Sequence, residues 1–82
     1  MADVVHEFST PTRGRDNREY KVRALAEQRG HVWIGWLEFS GRPGDRLRRT
    51  GEETSQPSRE AVAYWATGLE PIYLEGALER AQ

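Results

Sequence analysis

Cysteine is absent from this 82-residue chain, which excludes disulfides and thiolate metal sites as supports for the fold. A small secreted domain usually carries such staples, so their absence points to the cytoplasm. Long apolar runs are lacking as well. No window approaches the roughly 20 apolar residues of a transmembrane helix, and no membrane partner is expected. The start, Met1-Ala2-Asp3-Val4-Val5-His6-Glu7, has neither the basic region nor the apolar run of a signal peptide. Histidine is scarce: His6 and His31 have no metal-ligand spacing with each other or with a carboxylate pair. Nucleophilic catalysis needs an activated Ser, Cys or Thr beside a base, and no such arrangement is visible. No G-x-G-x-x-G or P-loop occurs. Glu75 and Glu79, four apart, read as a solvated helix face, and Thr50–Gln56 reads as a polar connector with capping residues. The expectation is a non-enzyme with no catalytic residue, metal, cofactor or small-molecule ligand.

What is present is one domain's length and a modest stock of large side chains. Three Trp, three Tyr and two Phe must supply most of the core, since so small a domain buries only about 60% of the surface its unfolded chain exposes. Net charge is −1, but its distribution is uneven. Residues 9–50 carry a balance of +5 and residues 51–82 a balance of −4. Eleven of the twelve basic residues are Arg, the side chain suited to planar stacking and bidentate contacts.

Residues 1–18 are polar and aperiodic and read as a mobile tail, leaving residues 19–82 as a single α+β domain. From Glu19 to Glu27 the pattern has period two, a strand. Arg29-Gly30 is turn chemistry. His31-Val32-Trp33-Ile34-Gly35-Trp36-Leu37-Glu38-Phe39 is rich in β-branched and aromatic residues and apolar on both faces, as a central strand would be. After a Gly/Pro loop, residues 46–51 read as a charged edge strand. Ser58 is an N-cap for a helix over 58–67, with Gly68 as its stop. Pro71 starts a second helix over 71–80, with a short strand through Ile72-Tyr73-Leu74 as the competing reading. The predicted fold is a three-stranded antiparallel sheet with one face covered by one or two C-terminal helices.

A turn at Arg29-Gly30 sets Tyr20, Val22, Ala24 and Ala26 opposite Phe39, Leu37, Gly35 and Trp33. This apolar, small-residue face is predicted to lie under the helices, with Trp33, Leu37, Val22, Val62 and Trp65 in the core. The opposite face then pairs Lys21 with Glu38, Arg23 with Trp36, Leu25 with Ile34 and Glu27 with Val32. The third strand is registered to bury Leu47 beside Leu37. That choice places Arg46 and Arg48 on the open face, so the candidate binding residues are Lys21, Arg23, Ile34, Trp36, Arg46 and Arg48.

Thr50-Gly51-Glu52-Glu53-Thr54-Ser55-Gln56-Pro57, Tyr64-Trp65-Ala66-Thr67-Gly68-Leu69-Glu70 and Tyr73–Ala81, with the Trp33–Phe39 strand, resemble a group of short bacterial proteins of unknown function. The resemblance implies a bacterial source and a compact domain, and no activity. The strand–strand–strand–helix order is also similar to HicB-like antitoxin domains and to double-stranded-RNA-binding-like folds, in topology only. The functional expectation is a non-catalytic binding module whose open sheet face takes a protein partner or a second copy. The alternative is a nucleic-acid-binding domain that stacks a base on Trp36 within an Arg-rich face.

Overall fold

The computed structural model describes all residues from Met1 to Gln82. Its centre is a long hairpin. Strands β3 (Glu19–Arg29) and β4 (Val32–Ser40) are joined by Gly30 and His31. Gly30 has φ +62°, the positive value that a two-residue hairpin turn demands and that glycine adopts without steric cost. The turn therefore sits one residue later than the sequence reading placed it. Every cross-strand pair moves by two: Val22 faces Phe39, Ala24 faces Leu37 and Ala26 faces Gly35. A slip of two leaves each side chain on its predicted face, because side chains alternate with period two. Tyr20, Val22, Ala24, Ala26, Leu37 and Phe39 are accordingly buried. Trp33 slides to the hairpin end opposite Gln28 and is only half-buried, not the core residue expected.

The sheet has six strands rather than three. Within the segment read as a tail, β1 (Asp3–Glu7) pairs with Arg23–Ala26 of β3, and β2 (Thr12–Arg13) pairs with its start. A bulge between Val4 and His6 breaks the alternation, which hid this strand from a period-two reading. The bulge also lets Val5, and Phe8 beyond it, pack against the core. Beyond β4, the expected 46–51 strand shrinks to β5 (Arg48–Arg49), and β6 (Thr54–Gln56) emerges from the polar connector. Thr50 bridges the gap. Its N–H donates to Leu37 O, and its hydroxyl accepts from Leu37 N at 3.0 Å.

Both helices lie on one face of this antiparallel sheet, giving the α+β class expected. Helix α1 (Arg59–Thr67) begins where Ser58 Oγ accepts from Ala61 N at 3.1 Å. Helix α2 (Pro71–Arg80) takes Pro71 into its first turn, and the competing strand through Ile72 does not form. Ala66, Leu74, Ala77 and Leu78 join the sheet's buried face in one cluster, against which Trp65 is partly buried. Gly35 lies under α1: a Cβ there would stand 2.6 Å from Val62 Cγ1. The Ala/Gly stripe is thus the approach path for the helix.

Candidate interaction face

The other face of the sheet carries no helix. β1 brings Val4 beside Leu25, and β3–β4 pairing brings Leu25 opposite Trp36 and Glu27 opposite Ile34. Leu25 and Ile34 are buried by their neighbours, Trp36 is half-buried, and Val4 and Val32 are exposed. The Trp36 indole N–H is enclosed and has no acceptor. An enclosed donor of this kind costs about 1–3 kcal/mol.

Next to the apolar stripe lies an ion-pair relay that the sequence reading did not assemble. Glu38 is 3% exposed. Its Oε1 accepts from Arg23 Nε at 2.8 Å and Nη2 at 2.5 Å, and its Oε2 lies 3.6 Å from Arg49 Nη2. Arg23 therefore stands opposite Glu38, not opposite Trp36. One signal was available: Glu38 is the lone charge in the Val32–Phe39 run, and a buried charge requires a partner.

Of the six candidate residues, Lys21, Arg23, Ile34 and Trp36 share this face. Lys21 is exposed and makes no ion pair, and Ile34 is buried. Arg46 is exposed in the loop outside any strand. Arg48 is on the wrong side. It pairs with Phe39, whose side chain faces the helices. Its Nη2 donates to Leu78 O at 2.9 Å and Ala81 O at 3.2 Å, and its guanidinium lies 5.7 Å from the Tyr20 ring centroid. Arg49 takes the place predicted for it. The parity error came from burying Leu47, which is 44% exposed. Carbonyls at a helix C-terminus lack intrahelical donors; Arg48 supplies one to Ala81 O, just past the end of α2, and adds a second to Leu78 O, which also accepts from Ala81 N.

Where the sheet face meets the 41–47 loop, a cleft of about 740 Å³ opens. Lys21, Arg23, Arg42, Glu7, Phe8 and Leu47 are among its walls. Lys21 and Arg42 form no ion pair in the chain, whereas Arg23 is held by Glu38. A second cleft of about 580 Å³ lies across the Phe8–Pro11 loop, bordered by His6, Arg13, Leu69, Pro71 and Glu75. His31, the other histidine, is exposed in the hairpin turn and lines neither cleft.

Two hydrogen-bonded carboxylates tie loops to the helical side. Tyr20 Oη donates to Asp16 Oδ2 at 2.6 Å, and that bond above all holds the Asp16 carboxyl below its ordinary value of 3.8. Tyr73 Oη donates to Glu53 Oε1 at 2.5 Å, where Arg80 also donates at 2.6 Å. Burial, reinforced by the Glu53 carboxylate, raises the Tyr73 phenol above 10.0. No protein-family model, curated protein or solved structure matches this chain.

Proposed function

We propose that this chain is a non-catalytic binding module that docks protein through the helix-free face of its sheet. The observation that carries the reading is the helix-free face, on which Val4 and Val32 are 37% and 40% exposed beside the half-buried Trp36, whose enclosed indole N–H lacks an acceptor. Exposed apolar surface rimmed by charge is the usual composition of a protein-docking face. The flanking Arg23–Glu38–Arg49 relay fixes the face, because the single Glu38 carboxylate holds both guanidinium groups in place.

The test is comparative capture. Wild type and a Val4→Asp/Val32→Asp variant are used as baits in host extract, and bound proteins are identified by mass spectrometry. Both substitutions fall at exposed positions, so folding should survive, as circular dichroism will verify. Proteins retained by wild type and lost from the variant support the reading. Identical captures from both baits overturn it.

A further inference from the structure

Lys21, Arg42, Glu70 and Glu75 are among the charged side chains that find no ion-pair partner inside the chain, and they lie on two surfaces. On the sheet side, Lys21 and Arg42 line the larger cleft without an ion pair, beside Phe8 and Leu47. On the helical side, Glu70 and Glu75 are exposed and unpaired at the start of α2. Between them stands Ile72, 77% exposed and three residues from Glu75. That spacing puts Ile72 and Glu75 on one helix face. One surface is thus a largely polar cleft with two free cations, Glu7 also standing unpaired on its wall, and the other an apolar knob with two free carboxylates. The Phe8–Pro11 loop separates them, since Phe8, Ser9 and Pro11 border both clefts.

We infer that the sheet-side cleft receives the α2 start of a second copy of this chain, with Ile72 entering beside Leu47 and with Glu70 and Glu75 meeting Lys21 and Arg42. The inference goes beyond the binding-module reading, because Val4, Leu25, Val32 and Trp36 do not line this cleft. Within one molecule these groups remain unpaired; between two molecules the same groups complement each other. Opposite charges placed across an interface favour encounter and fix register, and an exposed aliphatic side chain entering a cleft contributes by leaving water. Glu7, on the cleft wall opposite Arg23 but in no ion pair, opposes the incoming carboxylates and limits affinity.

Sedimentation equilibrium of the full chain tests this. The weight-average mass should rise above 9.4 kDa with concentration. It should fall back between about 0.1 M and about 1 M salt, where the Debye length shrinks from about 10 Å to about 3 Å. Lys21→Glu/Arg42→Glu and Glu70→Lys/Glu75→Lys should each weaken self-association about tenfold or more, because like charges then face each other. Mixing the two variants restores opposite charges, so their equimolar mixture should associate again. Glu7→Gln should tighten the wild-type contact. A monomeric wild type at every concentration overturns the inference, as does a mixture that stays monomeric. Capture of other proteins that depends on Val4 and Val32, by a chain that never self-associates, would remove this inference and leave the binding-module reading intact. Unchanged captures from the Val4/Val32 variant, with self-association intact, would do the reverse.

Discussion

Replacing Gly35 by Ala adds a single methyl at the tightest point between sheet and helix. The new Cβ would lie 2.6 Å from Val62 Cγ1, 3.0 Å from Thr54 Cγ2 and 3.4 Å from Leu25 O. Val62 is fully buried and cannot swing into solvent, so α1 must lift or Val62 must leave its rotamer. Over-packing of this kind costs about 1–3 kcal/mol. Removing a mid-strand glycine returns about 0.5–1 kcal/mol, so the net loss should centre on about 1 kcal/mol. With a urea m-value of about 1 kcal/mol/M for so small a domain, the unfolding midpoint should fall by about 1 M with m unchanged. Val62→Ala removes the opposing methyls. The Gly35→Ala/Val62→Ala double variant should therefore be less destabilised than the sum of the two singles, by about 1 kcal/mol. A Gly35→Ala chain as stable as wild type, or singles that add to within about 0.5 kcal/mol, would refute the packing argument.

Arg23→Met strips Glu38 of both bonds to Oε1 and leaves Arg49 at 3.6 Å. Urea unfolding should show a loss of about 1–3 kcal/mol, below the figure for a fully buried pair because Arg23 is 42% exposed. Arg48→Met should speed hydrogen exchange in the last turn of α2 and cost about 1–2 kcal/mol, whereas an Arg48 on the open face would leave α2 unchanged. Asp16 has a lowered folded-state pKa through its bond to Tyr20. Its contribution is present above about pH 4 and is lost as pH falls through the folded value. The stability gap between wild type and Asp16→Asn should therefore close on acidification, and a gap constant from about pH 7 to about pH 2 would sink the assignment.

The parts of the fold legible in the sequence are those carried by uninterrupted periodicity. Tyr20-Val22-Ala24-Ala26 against Leu37-Phe39 gave the buried face correctly even with the turn misplaced, because the error was two residues and parity survived. The helices were legible through Ser58, Gly68 and Pro71, each at its expected boundary. β1 was not, since its bulge spoils the alternation and its pairing with β3 spans some 20 residues of chain. β5 failed for another reason. Burial preference alone favours Leu47 over Arg48, and the opposing influence comes from α2 carbonyls 30 and more residues away. No local pattern reports an attraction of that range. The candidate face was legible as a surface, through Lys21, Arg23, Ile34 and Trp36. The hydrogen-bonded ion pair it contains depended on register and was missed.

The basic excess of residues 9–50 has a different meaning once the pairs are drawn. Arg13, Arg15, Arg18, Arg23, Arg29 and Arg49 each meet a carboxylate, as do Arg59 and Arg80 outside that segment. Arg48 is committed to helix carbonyls. Lys21, Arg42 and Arg46 are what remains. A nucleic acid bound here would displace counterions at about three phosphates, giving a slope of log affinity against log salt near −2 for a single strand. That is a weak electrostatic hold, and the Arg-flanked Trp36 platform that would add base stacking has lost Arg48 to the far side and Arg23 to Glu38. Titrating labelled single-stranded RNA into the isotope-labelled chain at low salt should therefore give small shifts confined to Lys21 and the 42–46 loop. Trp36→Ala should not change them. Large shifts centred on Arg23 and Trp36, with a loss of about 1–3 kcal/mol on Trp36→Ala, would instead make stacking the function of this face and displace protein docking.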